Sequence, residues 1–262
     1  MNKFIILSNS RCGSTWLTTS LNGLKSVKTD YELKLPPLDY TKLPTHFILD
    51  KDFPNKFFKQ NKNNSLKAHG TKLVFDPKPL DESHFDLLKS IITPDIKIIH
   101  LTRSTAEQII SHMNFGMKNS LKTVNIERNM LNSQLIADTV KNKTLVPRSW
   151  ELNLNTMKFF AKNYNIRIGI DLFIRKLINE LGCDFISVDY SNIADEFKNI
   201  TKFVTSKNAP DVQIEKLSLT KKLHKNRTTN EKILIETFSE LEKTKRRLLS
   251  KDISYDLIQA FF

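Results

Sequence analysis

The chain has 262 residues, and its 41 lysines and arginines outnumber its 28 aspartates and glutamates, for a formal net charge of +13. With 39% hydrophobic and 26% charged residues, the composition is that of a globular protein and excludes a wholly disordered chain. Cys12 and Cys183 make no disulfide framework, and no apolar run near the start is long enough for a signal peptide or a membrane span. We therefore expect a cytoplasmic protein with one domain over residues 1–262, including a helical tail over about 229–262.

The excess of positive charge indicates polyanionic partners: nucleic acid, an acidic membrane surface or a polyanionic small molecule. The denser basic patches, Lys221-Lys222 and Lys243–Arg247, carry no interleaved aromatic residues of the kind that bind single strands. No zinc-finger spacing accompanies them. We expect no nucleic-acid partner, and we interpret Lys243–Arg247 as a solvated helical face.

Short apolar runs alternate with helical patterns along the chain. A strand over Lys3–Ser8 leads through a tight loop into a helix over Trp16–Leu24, and the proline-rich residues 34–65 are expected to be irregular. The later predicted elements are a strand over Leu73–Phe75, a helix over Phe85–Ile92, a strand over Lys97–Thr102, a helix over Ala106–Met117, mostly helical residues 118–165, a helix over Ile166–Leu181, a strand over Phe185–Val188 and a helix over Thr229–Leu249. This alternation predicts an α/β fold with a central parallel sheet flanked by helices.

The loop after the first strand has the features of an anion site. Gly13 lets the backbone curl closely around an anion, and Arg11 offers a fork of donors suited to phosphate or sulfate oxygens. The hydroxyls of Ser14 and Thr15 and the free amides of the next helix add further donors. Ligands of open α/β sheets bind beyond the carboxyl ends of the strands, so the position fits. The alternative is a capped helix start with a chance arginine.

This loop departs from two other anion-binding loops. A Walker A loop has a lysine before its final hydroxyl residue and a glycine at its start, and here Ser14 and Ser8 stand at those positions. A phosphatase loop begins with cysteine and ends with arginine, whereas Arg11 precedes Cys12. The order of Arg11 and Cys12 argues against Cys12 as a nucleophile. The missing lysine argues against a P-loop nucleotide or small-molecule kinase, which we keep as an alternative.

A second polar cluster follows the strand over Lys97–Thr102. Arg103 comes directly after this strand, and Ser111 stands eight residues later on a predicted helix. Two helical turns separate these residues, so Ser111 lies on a face that can look back toward Arg103. The pair predicts a second phosphate site away from the Gly13 loop. A nucleotide with phosphates at both ends would need both sites.

With both motifs in this order, the sequence resembles the sulfotransferase family, whose donor is 3′-phosphoadenosine 5′-phosphosulfate (PAPS). The 5′-phosphosulfate loop of the family is similar to Arg11–Leu17, and its 3′-phosphate motif is similar to Ile98–Arg103 together with Ser111. The resemblance covers about residues 3–235 and implies a P-loop NTPase-like sulfotransferase fold. The implied donor-binding residues of these two motifs are Arg11, Cys12, Gly13, Ser14, Thr15, Trp16, Arg103 and Ser111.

Three further stretches resemble the family, and bacterial carbohydrate-type and tyrosylprotein-type members are the most similar in pattern. Asp189–Ile193 is similar to a Tyr-Glu-Asp-Leu segment, of which only Tyr190 carries over. Gly70–Leu73 resembles a Gly-X-Lys-Leu strand of carbohydrate-type members. Lys221–Arg227 resembles a basic loop that closes over the donor, although the glycine of the cytosolic version is absent. The donor ligands implied by these stretches are Tyr190, Lys221, Lys222 and Arg227.

Transfer of a sulfuryl group to a hydroxyl needs a base for the acceptor proton and positive charge beside the leaving phosphate. Arg11 is the candidate for the second task. Carbohydrate-type and tyrosylprotein-type members place a catalytic glutamate in a region similar to that of Glu32, which implies Glu32 as the base. The alternative for Glu32 is a solvated surface carboxylate. Lys72 is a further candidate, for stabilising the bridging or sulfuryl oxygens.

Other readings of the site stay open at this point. His69 and His112 compete with Glu32 as the base, whereas His100 lies within an apolar strand and is expected to be a core residue. No metal-ligand spacing appears, and the resemblance implies transfer without a metal. The implied acceptor is a saccharide or another polar hydroxyl compound. A non-catalytic nucleotide-binding or nucleic-acid-binding module is the remaining alternative.

Overall fold

The computed structural model describes residues 1–35, 46–49, 52–59, 66–122, 152–206 and 227–262. Within these ranges the chain builds a six-stranded sheet of order β3-β2-β4-β1-β5-β6, in which every pairing is parallel. The strands are β1 (Asn2–Asn9), β2 (Val27–Lys34), β3 (His46–Ile48), β4 (Ala68–Phe75), β5 (Ile96–Thr102) and β6 (Phe185–Asp189). The predicted α/β fold with a central parallel sheet is confirmed.

Helices connect and cover the strands. They are α1 (Ser14–Asn22), α2 (Phe53–Lys59), α3 (Glu82–Ile91), α4 (Thr105–Lys122), α5 (Leu154–Leu181), α6 (Phe197–Thr205), α7 (Thr229–Thr237), α8 (Ser239–Leu249) and α9 (Tyr255–Gln259), with a short 3₁₀ turn over Tyr190–Asn192. Capping boxes at Asp81 and Thr228 begin α3 and α7, because each side chain satisfies a free backbone amide of the first turn. No helix in the described ranges is long and apolar enough to cross a membrane.

The central strand β1 is apolar on both sides, and helices therefore cover both faces of the sheet. Ile5 and Leu7 lie on the face covered by α2, α3, α4, α5 and the C-terminal helices. Phe4 and Ile6 lie on the opposite face, against α1 and α6. Parallel strands buried on both faces are continuous hydrophobic runs, which is why this strand was visible in the sequence.

The expectation of an irregular segment over residues 34–65 is wrong for the part that the structure describes. Strand β3 and helix α2 lie there, and Phe53, Phe57 and Phe58 of α2 are buried in the core. Their rings contact one another, with centroids 5.0–5.9 Å apart. Burial of this aromatic cluster stabilises a short helix that proline and lysine content alone does not suggest.

The tail also differs from the single helix predicted over Thr229–Leu249. It forms α7 and α8 with a break at Phe238, followed by α9. Phe238 is buried, and its ring centroid lies 4.6 Å from that of Phe160 and 4.9 Å from that of Tyr164. The break between α7 and α8 thus lies at the residue whose aromatic ring packs against α5.

The interpretation of Lys243–Arg247 as a solvated face is wrong for Lys245, whose exposure is 2%. Its ammonium group lies 2.6 Å from a carboxylate oxygen of Asp171, which is also fully buried. A buried charge is tolerated when a paired charge compensates its desolvation, and Asp171 supplies that charge from α5.

Candidate functional site

The Gly13 loop joins β1 to α1 and has a backbone that few residues can adopt. Gly13 has a φ of 89°, in the left-handed region, and a Cβ atom at this position would clash with the ring of Tyr190. Arg11 also has a positive φ, of 70°. The loop is therefore a tight turn, as the sequence predicted from Gly13. The ring of Tyr190, the residue after β6, packs over this turn.

The loop and the second cluster meet at the carboxyl ends of β1 and β5. Arg103 donates a hydrogen bond from Nη1 to the carbonyl oxygen of Arg11 at 3.0 Å, and its guanidinium lies 4.6 Å from the centroid of the Tyr190 ring. Arg11 donates from Nε to Ser111 Oγ at 3.3 Å. Ser111 therefore contacts Arg11, and the two predicted anion sites open into one cavity rather than lying apart.

The side chains of Glu32 and Lys72 lie in the same cavity. Strand β2 pairs with β4 so that Glu32 is opposite Lys72, and a bulge between Thr29 and Glu32 shifts the register. The extra residue turns Glu32 to the same side of the sheet as Lys72. Lys72 Nζ lies 2.8 Å from Glu32 Oε2 and donates to Thr15 Oγ1 at 2.9 Å. The lysine thus connects the carboxylate to the anion loop.

The cavity has a volume of about 450 Å³, within the range of roughly 300–1,000 Å³ that small-molecule sites occupy. Its described lining residues are Ser10, Arg11, Gly13, Ser14, Thr15, Glu32, Lys72, Val74, Asp76, Arg103, Ser111, His112 and Tyr190. Burial and the neighbouring Arg103 lower the pKa of Arg11. Arginine side chains are not deprotonated in proteins near neutral pH, so the cavity presents two guanidinium cations, those of Arg11 and Arg103.

Two predicted donor-binding residues have side chains outside the cavity. Cys12 is fully buried among the core residues of the α1 face, and burial raises the pKa of its thiol. Only the backbone of Cys12 can therefore meet a ligand in the loop. Trp16 packs edge-to-face against Phe197, with ring centroids 6.4 Å apart.

Of the three predicted basic donor ligands near the C-terminus, Arg227 lies within the described residues. Lys221 and Lys222 lie outside the described residues. Arg227 forms an ion pair with Glu107, and the same carboxylate accepts a hydrogen bond from Arg103 Nε at 3.2 Å. Glu107 thus brings Arg227 next to the predicted 3′-phosphate arginine.

The three histidines considered above, His69, His100 and His112, lie in different environments. His69 lies near the amino end of β4, away from the cavity, with Nε2 3.1 Å from Asp30 Oδ2. His100 is buried in β5, and burial lowers its pKa to about 4. His112 lines the cavity, so it stays a competitor of Glu32.

Sequence reasoning missed Asp76 and Glu107 as residues of this region. Asp76 directly follows β4, at the edge where parallel strands present their ligands, and that position was the available signal. Glu107 is one helical turn after Arg103, a spacing at which side chains of opposite charge meet. Among the described residues, no group of three or more histidine, cysteine, aspartate or glutamate side chains is placed to hold a metal ion.

At the carboxyl ends of β1 and β5, the parallel sheet thus carries a cavity with two guanidinium groups, which are chemically suited to an anionic ligand. The sulfotransferase domain family matches residues 1–167, so the chain belongs to the sulfotransferase family and is a transferase of that type. It is similar to the crystal structure of a sulfotransferase from Alicyclobacillus acidocaldarius, with 13% sequence identity over 97% of both chains and a TM-score of 0.48. No curated protein sequence matches the chain.

Proposed function

We propose that this protein transfers a sulfuryl group from PAPS to a hydroxyl of a carbohydrate or another polar acceptor, with Glu32 as the base. The observation that carries the proposal is the position of Lys72, between the carboxylate of Glu32 and the hydroxyl of Thr15. A single lysine side chain thereby contacts both the candidate base and the anion loop. Transfer requires the acceptor and the donor to lie this close together.

The residues present fit a nucleotide that carries an anionic group at each end. The Gly13 loop and Arg11 offer amides, hydroxyls and a guanidinium to one anion, and the start of α1 adds its free amides. Arg103 and Arg227 pair with the same carboxylate, that of Glu107, and the two guanidinium groups suit a second phosphate; Ser111 lines the same cavity and contacts Arg11. Cys12 contributes its backbone only, and Tyr190 offers a ring above the loop. When bound, PAPS supplies the activated sulfuryl group.

In the proposed transfer, Glu32 accepts the proton of the acceptor hydroxyl as the acceptor oxygen forms its bond to sulfur. The bond from sulfur to the bridging phosphate oxygen breaks, and 3′-phosphoadenosine 5′-phosphate (PAP) leaves with the electron pair. Arg11 and the amides of the Gly13 loop stabilise the charge that develops on that phosphate. Lys72, held between Glu32 and Thr15, is placed to stabilise the sulfuryl oxygens.

The chemistry of the cavity wall supports a polar acceptor. Beside Glu32 and Lys72, the described wall carries Asp76, His112 and only one aliphatic side chain, Val74. Carboxylates and an imidazole are hydrogen-bonding groups for a ligand with several hydroxyls, whereas a flat aromatic acceptor would need apolar surface. We therefore favour a saccharide over an aryl acceptor.

Calorimetric titration of the full chain with PAP, without magnesium, tests the donor site. We expect micromolar binding, and an affinity about 10- to 100-fold lower in Arg103→Met, because charge-assisted hydrogen bonds to a phosphate are lost. Arg175→Met is the matched control, since the guanidinium of Arg175 lies on the Phe185 ring, 5.0 Å from its centroid, away from the cavity. Binding of ATP with magnesium in place of PAP would contradict the proposal and support a kinase.

A further inference from the structure

A buried polar bridge connects the two chain segments that carry Arg11 and Arg103. Arg167 of α5 is fully buried, and its Nη1 donates to the carbonyl oxygen of Ser10 at 2.9 Å, to Ser10 Oγ at 3.2 Å and to Gln108 Oε1 at 3.1 Å. Gln108 of α4, also fully buried, donates from Nε2 to the carbonyl oxygen of Arg103 at 2.9 Å. A continuous path of hydrogen bonds thus runs from the residue before Arg11 to Arg103 itself.

The bridge is anchored from the far side of the core. Asn9 donates to the carbonyl oxygen of Arg167 at 3.0 Å and to the carboxylate of Asp171. Asp171 pairs with Lys245 of α8, and Lys245 in turn donates to Thr105 Oγ1 at 2.8 Å. Three helices, α4, α5 and α8, therefore fix the two ends of the bridge relative to each other.

Neither Gln108 nor Arg167 lines the cavity, so neither can contact a ligand there directly. Instead, they bind the backbone carbonyl oxygens of Ser10, which precedes Arg11, and of Arg103 itself. On the cavity side, Arg103 Nη1 bonds the carbonyl oxygen of Arg11. The two arginine-bearing turns are thus connected twice, once at the surface of the cavity and once beneath it, which fixes the distance between them.

We propose that Gln108 and Arg167 are positioning residues that set the separation of the Arg11 and Arg103 anion sites and so select a donor with a phosphate group at each end. The inference rests on the proposed PAPS site. A ligand with two phosphates must satisfy both arginines at once, and its affinity depends on their separation. A ligand with one phosphate uses one arginine and is insensitive to that distance.

The test compares ligands on one variant. Gln108→Met conserves side-chain volume and removes both hydrogen bonds of Gln108, while Arg167 keeps its bonds to Ser10. Wild type and variant are titrated as full chains with PAP, adenosine 5′-monophosphate and adenosine 3′-monophosphate. We expect the affinity for PAP to fall about 10-fold and that for each monophosphate to fall less than about threefold.

Thr201→Val is the matched control. It removes one buried hydrogen bond, from Thr201 Oγ1 to the carbonyl oxygen of Phe197 at 2.9 Å, inside α6 and outside the cavity. We expect the control to lower thermal stability and to leave the ratio of PAP to monophosphate affinity unchanged. A general loss of stability is thereby separated from a change in the spacing of the two anion sites.

The outcomes separate the inference from the proposed function. Failure of the wild-type chain to bind PAP would overturn the proposed function, and the inference with it. Binding by wild type with equal losses for all three ligands in Gln108→Met, or with no loss, would overturn the inference alone. If Gln108→Met does not fold, Arg167→Lys tests the same bridge, because lysine keeps the buried charge but cannot reach both Ser10 and Gln108; an unchanged ratio there overturns the inference.

Discussion

The two halves of the cavity are built in different ways. The β1–β5 half consists of the turns after two neighbouring strands and carries Arg11 and Arg103. The β2–β4 half carries Glu32 and Lys72 on the paired strands themselves, in a register set by a bulge. The first half is therefore specified by short contiguous segments, and the second by a long-range pairing. This difference predicts that substitutions in the β1–β5 half weaken donor binding, at Arg11 together with turnover, whereas those in the β2–β4 half lower turnover and leave donor binding intact.

The largest effect that would test this division is expected from Glu32→Gln. Removal of the proposed base should lower kcat about 100- to 10,000-fold, whereas PAP affinity should change little, because the β1–β5 half is intact. The measurement is PAP release from PAPS in the presence of a panel of monosaccharides. Glu180→Gln is the matched control, since Glu180 also pairs with lysines, Lys89 and Lys176, but lies outside the cavity.

The competing base is tested in the same assay. His112 lines the cavity, and His112→Gln should lower kcat far less than Glu32→Gln. A loss of turnover in His112→Gln together with normal turnover in Glu32→Gln would assign the base to the β1–β5 side. The division between the two halves would then be wrong.

Gly13→Ala tests the β1–β5 half. The alanine would have to adopt a φ near 89° with its Cβ against the Tyr190 ring. We expect the free energy of unfolding to fall by about 3 kcal/mol and PAP binding to weaken with it. Gly182→Ala is the matched control, because Gly182 has a φ of 62° but open space around it, and should cost about 1 kcal/mol. Denaturant unfolding measures the free energy of unfolding of both variants. An equal decrease in the two would show that the contact with the Tyr190 ring adds no cost at Gly13.

The sequence carried enough information for the β1–β5 half. Its strands are continuous apolar runs, and the residues that follow each strand lie at the same edge of a parallel sheet. Arg11, Gly13 and Arg103 could therefore be assigned to the same edge of the sheet, although the Arg103 site was expected to lie away from the Gly13 loop. Their convergence into one cavity, with Ser111 turned toward Arg11, depends on the packing of α4 and was not predictable from spacing.

The β2–β4 half was harder to predict for a physical reason. Val27, Thr29 and Leu33 alternate with charged residues, a period of two that was the available signal for β2. A bulge, however, changes which residues share a face: Val27 packs on the α1 side and Leu33 on the opposite side. The orientation of Glu32 toward Lys72 follows from that bulge, and alternation alone gives the wrong face.

Buried charges were the other limit of sequence reasoning. Lys245 stands in a basic helical stretch, and nothing nearby in the sequence distinguishes it from exposed lysines. Its partner Asp171 is on another helix, and the pair is inaccessible to solvent. Helical periodicity can indicate a face, but compensation by a distant carboxylate is a property of the packed core.

The smallest effect concerns two buried histidines outside the cavity, His100 in β5 and His69 in β4. The pKa of His100 in β5 is lowered to about 4, mainly by burial; Asp171 opposes this change, and Arg175 and Lys245 contribute to it. In β4, burial also lowers the pKa of His69, but the hydrogen bond that the ring makes to the carboxylate of Asp30 opposes that change. The unfolded chain binds a proton near pH 6.5, before folded His100 does, so acid should favour unfolding between pH 6.5 and 4.

The expected contribution of His100 is a loss of about 2 kcal/mol in the free energy of unfolding between pH 7.5 and 5. Urea unfolding across this range, in wild type and in the variants His100→Gln and His69→Gln, measures it. His100→Gln should flatten the pH dependence more than His69→Gln, because the ring of His69 lies within hydrogen-bond distance of a carboxylate, Asp30, whereas the ring of His100 lies 3.4 Å from the hydroxyl of Ser187. A greater flattening in His69→Gln than in His100→Gln would contradict this expectation and show that Asp30 does not compensate the desolvation of His69.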